Sequence, residues 1–205
     1  MMKFIIKIVF VIILASCSKT NNYDCKPKEL EDYSSNLVNE YNEIRRSNSF
    51  ISDTSSVQSA LEKLNILLER DSTFIPALKY SSELYCMNSS IDKAIINSKK
   101  AYELDQCDIY NLPYLSFLHS LNGNEDSAKV YLDKALSAFK ARCLDGCKIE
   151  DESNLLFLKL YSGKITIKAY QEKVNILGDG EVAYLADVFK DFKKEKFLEN
   201  LCSLQ

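Results

Sequence analysis

Apolar and small residues recur along this chain at a fixed interval of 34 positions. The positions that share this interval are Ala60, Ala94 and Ala128; Leu67, Ala101 and Ala135; and Ile44, Leu78 and Leu112. Within one unit, small residues such as Ala94 and Ala101 share one helix face and allow a second helix to approach closely. A fixed period of this length is typical of proteins built from repeated supersecondary units. The pattern therefore predicts an all-α fold made of helix pairs.

Turn residues and helix caps predict where these helices lie. Ser89 and Gly123 occupy equivalent turns in two successive units, and Ser90 and Asn124 follow them as expected N-caps. Glycine and proline are scarce, with 5 and 3 residues in 205, which favours helices throughout. The predicted pairs are 28–46 with 56–70, 73–87 with 90–104, 110–121 with 125–141, and a degenerate pair at 150–162 with 165–176.

Two features interrupt the period in the C-terminal half. The interval from Ala128 to Ala169 is 41 residues, and we place the extra residues in a loop at 142–150. After a break at 179–180, one last helix from Glu181 carries an apolar face and many lysines elsewhere, as the terminal cap of a repeat array does. That face consists of Val182, Leu185, Phe189 and Phe192.

The 34-residue unit resembles the tetratricopeptide repeat (TPR), in which each unit is two antiparallel helices. Residues 101–105 (AYELD) are similar to the end of the second helix in that family, and residues 68–71 (LERD) echo them. The proline that the family has after the Asp is missing, because Ser72 and Gln106 stand there. The resemblance implies a TPR-like α-solenoid of antiparallel helix pairs over residues 29–202, with a C-terminal capping helix.

The same resemblance implies a partner-binding groove on the concave side, which the first helices of the pairs form. The family's groove positions correspond to Lys79, Glu83, Tyr110, Phe117 and Arg45. The basic clamp that some members use for a C-terminal carboxylate is not supported, because Glu83 and Phe117 replace the expected asparagines. An aromatic patch in the same region is either a binding hot spot or ordinary packing of the next repeat. The patch consists of Tyr110, Tyr114 and Phe117.

The N-terminus has the parts of a secretory signal. Lys3 and Lys7 precede an apolar run at 8–15, which is too short for a bilayer core that needs about 20 residues. The run Leu14-Ala15-Ser16-Cys17 resembles the lipobox of bacterial lipoproteins. The resemblance implies a signal peptide at 1–16, lipid on Cys17, and a flexible lipidated tether at 17–28. The alternatives are an ordinary cleaved signal and a buried N-terminal helix.

The lipoprotein resemblance also implies a location. Ser18 follows the cysteine where some hosts read Asp as a retention signal for the inner membrane, and no acidic run follows. We therefore expect a protein of the cell envelope, anchored in the outer membrane and facing the periplasm. Acyl chains such as palmitate anchor firmly when more than one is attached.

Charge and size limit the possible partners. A processed chain of about 190 residues is large enough for one domain with its own core. Loss of Lys3 and Lys7 changes the formal charge from −3 to −5, and the remaining charges are mixed. Because there is no basic stripe, we expect no nucleic-acid partner.

The cysteine count indicates disulfide bonds. If one of the seven cysteines carries lipid, six remain, and an even number in an oxidising compartment favours pairing. The six are Cys25, Cys86, Cys107, Cys143, Cys147 and Cys202. Cys143 and Cys147 are the leading pair, since they are close in sequence. Cys86 and Cys107 should not pair, because they lie at opposite ends of a predicted helix pair about 20 Å long.

The sequence offers little for catalysis. His119 is the single histidine, it occupies a packing or groove position, and structural zinc needs four Cys or His ligands. Asp151 and Glu152 stand at an expected helix start, where acids favour the helix dipole. We therefore expect no metal, no cofactor, no small-molecule substrate and no enzymatic activity.

The function that these features favour is a non-enzymatic, membrane-anchored scaffold or adaptor that binds an envelope protein or peptide. The alternative is a periplasmic immunity protein that neutralises a toxin. An enzyme is the third possibility, and it would require a polar cleft with perturbed acids.

Overall fold

The computed structural model of the protein describes residues 28–48, 53–144, 147–177 and 180–203. Every regular element in this part of the chain is helical, so the fold is all-α, as the sequence predicts. The predicted signal peptide, Cys17 and all but the last residue of the predicted tether lie outside the described residues. A 3-10 turn at Leu30–Asp32 precedes ten α-helices: α1 (Ser35–Ser47), α2 (Thr54–Arg70), α3 (Ile75–Met87), α4 (Ile91–Leu104), α5 (Asn111–Leu121), α6 (Glu125–Arg142), α7 (Ile149–Tyr161), α8 (Ile167–Ile176), α9 (Gly180–Val188) and α10 (Lys194–Leu201).

The helices pack in chain order. Each helix from α1 to α8 contacts the helix that follows it. Their bounds lie close to the predicted ones, except that the first predicted helix, 28–46, begins only at Ser35. The backbone at Tyr33 is extended, which places its ring 4.8 Å from that of Phe74. Packing of Tyr33 therefore replaces the first turns of the predicted helix.

The turn inside three of the helix pairs has one conformation. Ser89, Gly123 and Gly163 have positive φ angles of 56°, 72° and 71°. The N–H of the following residue donates to a carbonyl five residues earlier in each case, which is the Schellman motif that ends many helices. These bonds join Ser90 to Tyr85 (2.8 Å), Asn124 to His119 (2.9 Å) and Lys164 to Lys159 (2.8 Å).

A second feature repeats with the predicted interval of 34. Ser82 Oγ donates to the carbonyl of Ala94 at 2.6 Å, and Ser116 Oγ donates to the carbonyl of Ala128 at 2.8 Å. Both serines are fully buried where the two helices of a pair meet. One expected cap differs: Asn124 accepts from the N–H of Ser127, whereas Ser90 makes no side-chain cap bond.

Most of the extra residues between Ala128 and Ala169 are helical, which corrects their placement in a loop. Helix α6 has 18 residues against 14 in α4, and α7 has 13 against 11 in α5. The connections at 105–110 and 143–148 are equally long. Four added residues make about one helical turn, so α6 keeps the same face toward the core. A helix can therefore absorb an insertion that looks like a loop in the sequence.

The C-terminus forms two helices where the sequence predicts one. Phe157 lies 5.0 Å from Phe189 and 5.3 Å from Phe197, between ring centroids. In one straight helix, residues eight positions apart would be about 12 Å apart along the axis. The chain turns between α9 and α10, and α10 then packs against α5. The Cα atoms of Cys86, in α3, and Cys202, after α10, lie 4.9 Å apart at disulfide distance.

Candidate functional site

Helices α1, α3, α5 and α7 lie side by side, and we call the surface that they form the first-helix face. Tyr41 of α1 is 6.3 Å from Tyr80 of α3, between ring centroids. Cys86 of α3 packs with Tyr114 of α5. Phe117 of α5 is 6.2 Å from Phe157 of α7, between ring centroids. This face contains all the positions that the sequence assigns to a groove except Tyr110, which immediately precedes α5.

The α1–α3 part of this face is open and charged, and we call it the open half. Its residues are Arg45, Lys79, Tyr80 and Glu83, which are exposed or half-buried. The Arg45 guanidinium lies 5.6 Å from the centre of the Tyr80 ring and 6.0 Å from that of Tyr41. Cation–π contacts of this kind hold an arginine in one place at a surface. Arg45 thus bridges α1 and α3.

Glu83 lies at the centre of the open half. Its carboxylate is half-buried and forms no salt bridge or hydrogen bond with another residue in the described part of the chain. Burial raises the pKa of Glu83 to about 7, although the positive charges of Arg45 and Lys79 oppose the shift. Burial also raises the pKa of the neighbouring Tyr41 to about 12. A carboxylate kept from water without a paired cation is a group that a ligand could stabilise.

Lys79 has a partner inside the chain. Its ammonium group forms an ion pair with Asp108, which is buried in the connection between α4 and α5. The side chain of Lys79 remains about one-third exposed at 33%. Lys79 therefore links α3 to the connection between α4 and α5, and only part of its side chain is exposed in the open half.

The predicted aromatic patch lies in the interior, which corrects its assignment to an exposed groove. Phe117 is 0% exposed and Tyr114 is 4% exposed. The ring of Phe117 touches those of Phe157, Tyr161 and Phe197. Helix α10 supplies Phe197, and it covers the α5–α7 part of the first-helix face, which we call the covered half. The packing alternative therefore holds for these two residues.

Tyr110 belongs to a network between helix ends. Its hydroxyl donates to Asp151 Oδ1 at 2.6 Å, and Arg142 Nη1 donates to that hydroxyl at 3.3 Å. Arg142 Nε also lies 3.6 Å from Asp151 Oδ2, and Asp151 is only 4% exposed. A buried carboxylate with these partners ties α5, α6 and α7 together. The sequence correctly predicted Asp151 at a helix start, but it did not predict the contacts of Asp151 with Tyr110 and Arg142.

The leading cysteine pair lies at disulfide distance. The Cα atoms of Cys143 and Cys147 are 4.1 Å apart across the connection from α6 to α7. Cys86 is bonded to Cys202 and not to Cys107, in line with the geometric exclusion of that pair. Cys107 is also disulfide-bonded.

His119 has a packing role. Its ring stacks on Tyr131 of α6 with centroids 5.3 Å apart, and burial lowers its pKa. Within the described ranges, no group of three or more His, Cys, Asp or Glu side chains could hold a metal ion. No helix in those ranges is long and apolar enough to cross a membrane.

A shallow depression of about 650 Å³ lies elsewhere, between α4 and α6. Its lining includes Tyr102, Leu112 and the exposed Val130, with Asp133 and Lys134 at the rim. Its two charged residues have ordinary surface contacts: Asp133 lies 3.5 Å from Lys164, and the ammonium group of Lys134 lies 5.4 Å from the centre of the Tyr131 ring. The open half, which has a half-buried carboxylate and a stacked arginine, is the stronger candidate site.

The sequence reasoning missed two tyrosines, Tyr80 of the open half and the buried Tyr41 beside it. Tyr41 and Tyr80 form the aromatic base under Arg45. Their signal was available, because Tyr80 follows Lys79 directly and Tyr41 precedes Arg45 by one helical turn. Asp108 gave no comparable signal, since only the fold brings it to Lys79.

Comparison with known proteins adds no relative: no family model matches the chain, and no curated protein or solved structure matches it significantly. Its own residues and contacts therefore carry the functional argument.

Proposed function

We propose that this protein is a lipid-anchored lipoprotein of the bacterial cell envelope that acts as a non-enzymatic scaffold, binding a protein or peptide through its first-helix face. In this proposal the helix pairs form a TPR-like solenoid capped by the C-terminal helices. Cys17 carries the lipid and residues 17–28 are the tether. The anchor lies in the outer membrane and the domain faces the periplasm.

Two repeated contacts support the solenoid. The buried serine bonds of Ser82 and Ser116 are 34 residues apart, as are the turns at Ser89 and Gly123. Equal contacts at equal spacing are expected when each unit repeats one structure. The sequential packing of α1 to α9 supports the same architecture.

The observation that carries the binding proposal is the contrast in cover along the first-helix face. Aromatic and arginine side chains are enriched where proteins bind one another. In the covered half such side chains are already buried under α10. In the open half, Arg45 and Tyr80 stand beside a half-buried carboxylate with no residue of the described chain paired to it. A partner would complete that arrangement.

Site-specific photo-crosslinking in intact cells tests the proposed surface. A photoreactive phenylalanine analogue replaces Tyr80, and the matched control carries it at Lys63, an exposed position on α2. We expect a discrete crosslinked band at position 80 that is absent at 63. Equal bands at both positions, or no band at position 80, would refute the proposed surface.

The anchor has a separate test. We expect Cys17→Ser to release folded protein from membranes, whereas Ser16→Ala, which keeps a small residue before the cysteine, should leave it attached. A Cys17→Ser protein that stays with the membrane fraction would show that the lipid proposal is wrong.

A further inference from the structure

We propose that the open half receives a basic side chain, lysine or arginine, from an otherwise flexible partner segment, and that Glu83 is the residue that pairs with it. This inference rests on the proposed function and specifies the chemistry of the partner. The partner group that we infer is positive, whereas the clamp of some similar repeats binds a negative carboxylate.

The first argument is charge balance within the open half. Lys79 is paired with Asp108, and Arg45 is held over the rings of two tyrosines. Neither cation forms a salt bridge with Glu83 in the described part of the chain. The carboxylate is therefore the charge in this cluster that lacks a direct partner. A cation from outside would give it a charge-assisted hydrogen bond, which is stronger than a neutral one.

The second argument is the shape and chemistry of the walls. Tyr80 and Tyr41 lie on one side of Glu83, toward α1, and the buried Tyr114 lies on the side of α5. Aromatic rings beside a carboxylate favour a cation with a long apolar stem, since the ring bodies pack on its methylene groups. A partner carboxylate placed against Glu83 would be repelled by it, and Arg45, the exposed cation beside it, is already held over the rings of Tyr41 and Tyr80.

A pH dependence follows from the same contacts. The groups that face Glu83 are Arg45 and Tyr41 from α1, Lys79 and Tyr80 from α3, and Tyr114 from α5. In the free protein, burial raises the pKa of Glu83 to about 7. A bound cation favours the charged carboxylate, so binding releases a proton when the pH is below that value. Affinity should therefore rise between pH 6 and pH 8 and level off above.

Peptide selection tests the inference without a known partner. A phage-displayed library of random dodecapeptides is panned on the folded domain, on Glu83→Gln, and on the control Glu69→Gln, which changes an exposed glutamate of α2. We expect the domain and Glu69→Gln to enrich peptides with one fixed lysine or arginine, and Glu83→Gln to lose that enrichment. Thermal unfolding of each variant checks that it is folded.

The selected peptide then gives a quantitative readout. We expect replacement of its basic residue by norleucine to weaken binding about tenfold or more, and Glu83→Gln to do the same. The two changes together should cost no more than either alone, since both break one contact.

The outcomes separate the inference from the function. Peptides that bind the open half through an acidic residue, or that bind Glu83→Gln equally well, would overturn the inference and leave the scaffold proposal standing. Failure to select any peptide whose binding Tyr80→Ala weakens would overturn both.

Discussion

The two halves of the first-helix face share one scaffold and differ in what covers them. In the open half, Arg45, Tyr80 and Glu83 reach the surface with only part of each side chain buried. In the covered half, Phe117, Phe157 and Tyr161 are at most 4% exposed beneath α9 and α10. The same helical positions therefore supply a charged surface in one half and an aromatic core in the other.

This difference shows how equivalent positions of successive helix pairs can lie in different environments. An aromatic first-helix face requires a cover, and α10 provides it with one buried side chain, Phe197, and a disulfide at its end. A short helix of eight residues is marginal alone, so packing and the covalent link must hold it in place. The open half has no such cover in the described chain, and its charged groups remain accessible.

The largest expected effect separates the two halves by truncation. Phe117→Ala should lower the free energy of unfolding by about 3–5 kcal/mol, because it leaves a cavity among packed rings. Tyr80→Ala should cost less, about 1–2 kcal/mol, through lost contact with Arg45 and with the Tyr41 ring. Urea unfolding followed by circular dichroism measures both. Equal losses of unfolding free energy would mean that Tyr80 is packed like a core residue. The distinction between the open half and the covered half would then be wrong.

Removal of the disulfide between α3 and α10 is expected to have the next largest effect. Cys86→Ser with Cys202→Ser should reduce stability by about 2–4 kcal/mol, because the bond closes a long loop in the unfolded chain. The two cysteines are 116 residues apart in sequence, against 4 for Cys143 and Cys147.

The matched control is therefore the double substitution Cys143→Ser with Cys147→Ser, which should cost less. Amide hydrogen exchange supplies a local readout, in which α10 should lose protection before α3 does. If α10 stays as protected as α3 without the bond, packing alone holds the cover, and the role given to the disulfide is wrong.

The sequence predicted the parts of this fold that depend on neighbouring residues. Helix pairs follow from apolar periodicity, and the turns at Ser89 and Gly123 follow from the local need for a positive φ. These signals lie within one or two helices, so no knowledge of the whole fold is required. The class of the fold, all-α, follows from them directly.

The sequence failed where distant segments meet. The burial of Phe117 depends on Phe197, and the sequence around these residues does not predict that α10 packs against α5. The insertion near 142–150 was assigned to a loop, since an added helical turn leaves the periodicity nearly unchanged. For the site, Lys79 and Glu83 were predicted, but their different environments depend on Asp108 and Arg45.

The third prediction uses pH to examine Glu83 in the open half. Folding raises the pKa of Glu83 from 4.5 to about 7, so the folded state binds this proton more tightly than the unfolded state does. The stabilisation is complete below pH 4.5 and is lost as the pH rises through 7, with a total of roughly 1–3 kcal/mol. Glu83→Gln should flatten this part of the stability profile.

Unfolding by urea at pH 4.5, 6 and 8 provides the measurement, with Glu69→Gln as the control that should retain the slope of the parent protein. If Glu83→Gln retains the same slope, Glu83 is better solvated than the structure indicates. The contrast between an open half with a half-buried carboxylate and a covered half of packed rings would then lose its electrostatic basis.

The smallest expected effect concerns two buried serine hydrogen bonds, and it tests whether the two halves share the same helix packing beneath their surfaces. Ser82 and Ser116 make the same buried hydrogen bond, one beneath the open half and one beneath the covered half. Replacement of either by alanine removes the donor, while the helical carbonyl keeps its backbone partner. Each substitution should therefore cost about 1 kcal/mol.

The two costs should be similar, with any excess at Ser82, because both serines are 0% exposed and contact an alanine at the same position of the next helix, while Ser82 also lies beside the buried Tyr114 hydroxyl. Thermal unfolding of the two variants side by side is the measurement. Agreement would mean that the halves differ only at their surface, so that the charged residues of the open half were not required by the fold beneath them. A much larger loss at Ser116 would instead mean that the cover tightens the scaffold under it, and that α10 shapes the covered half as well as hiding it.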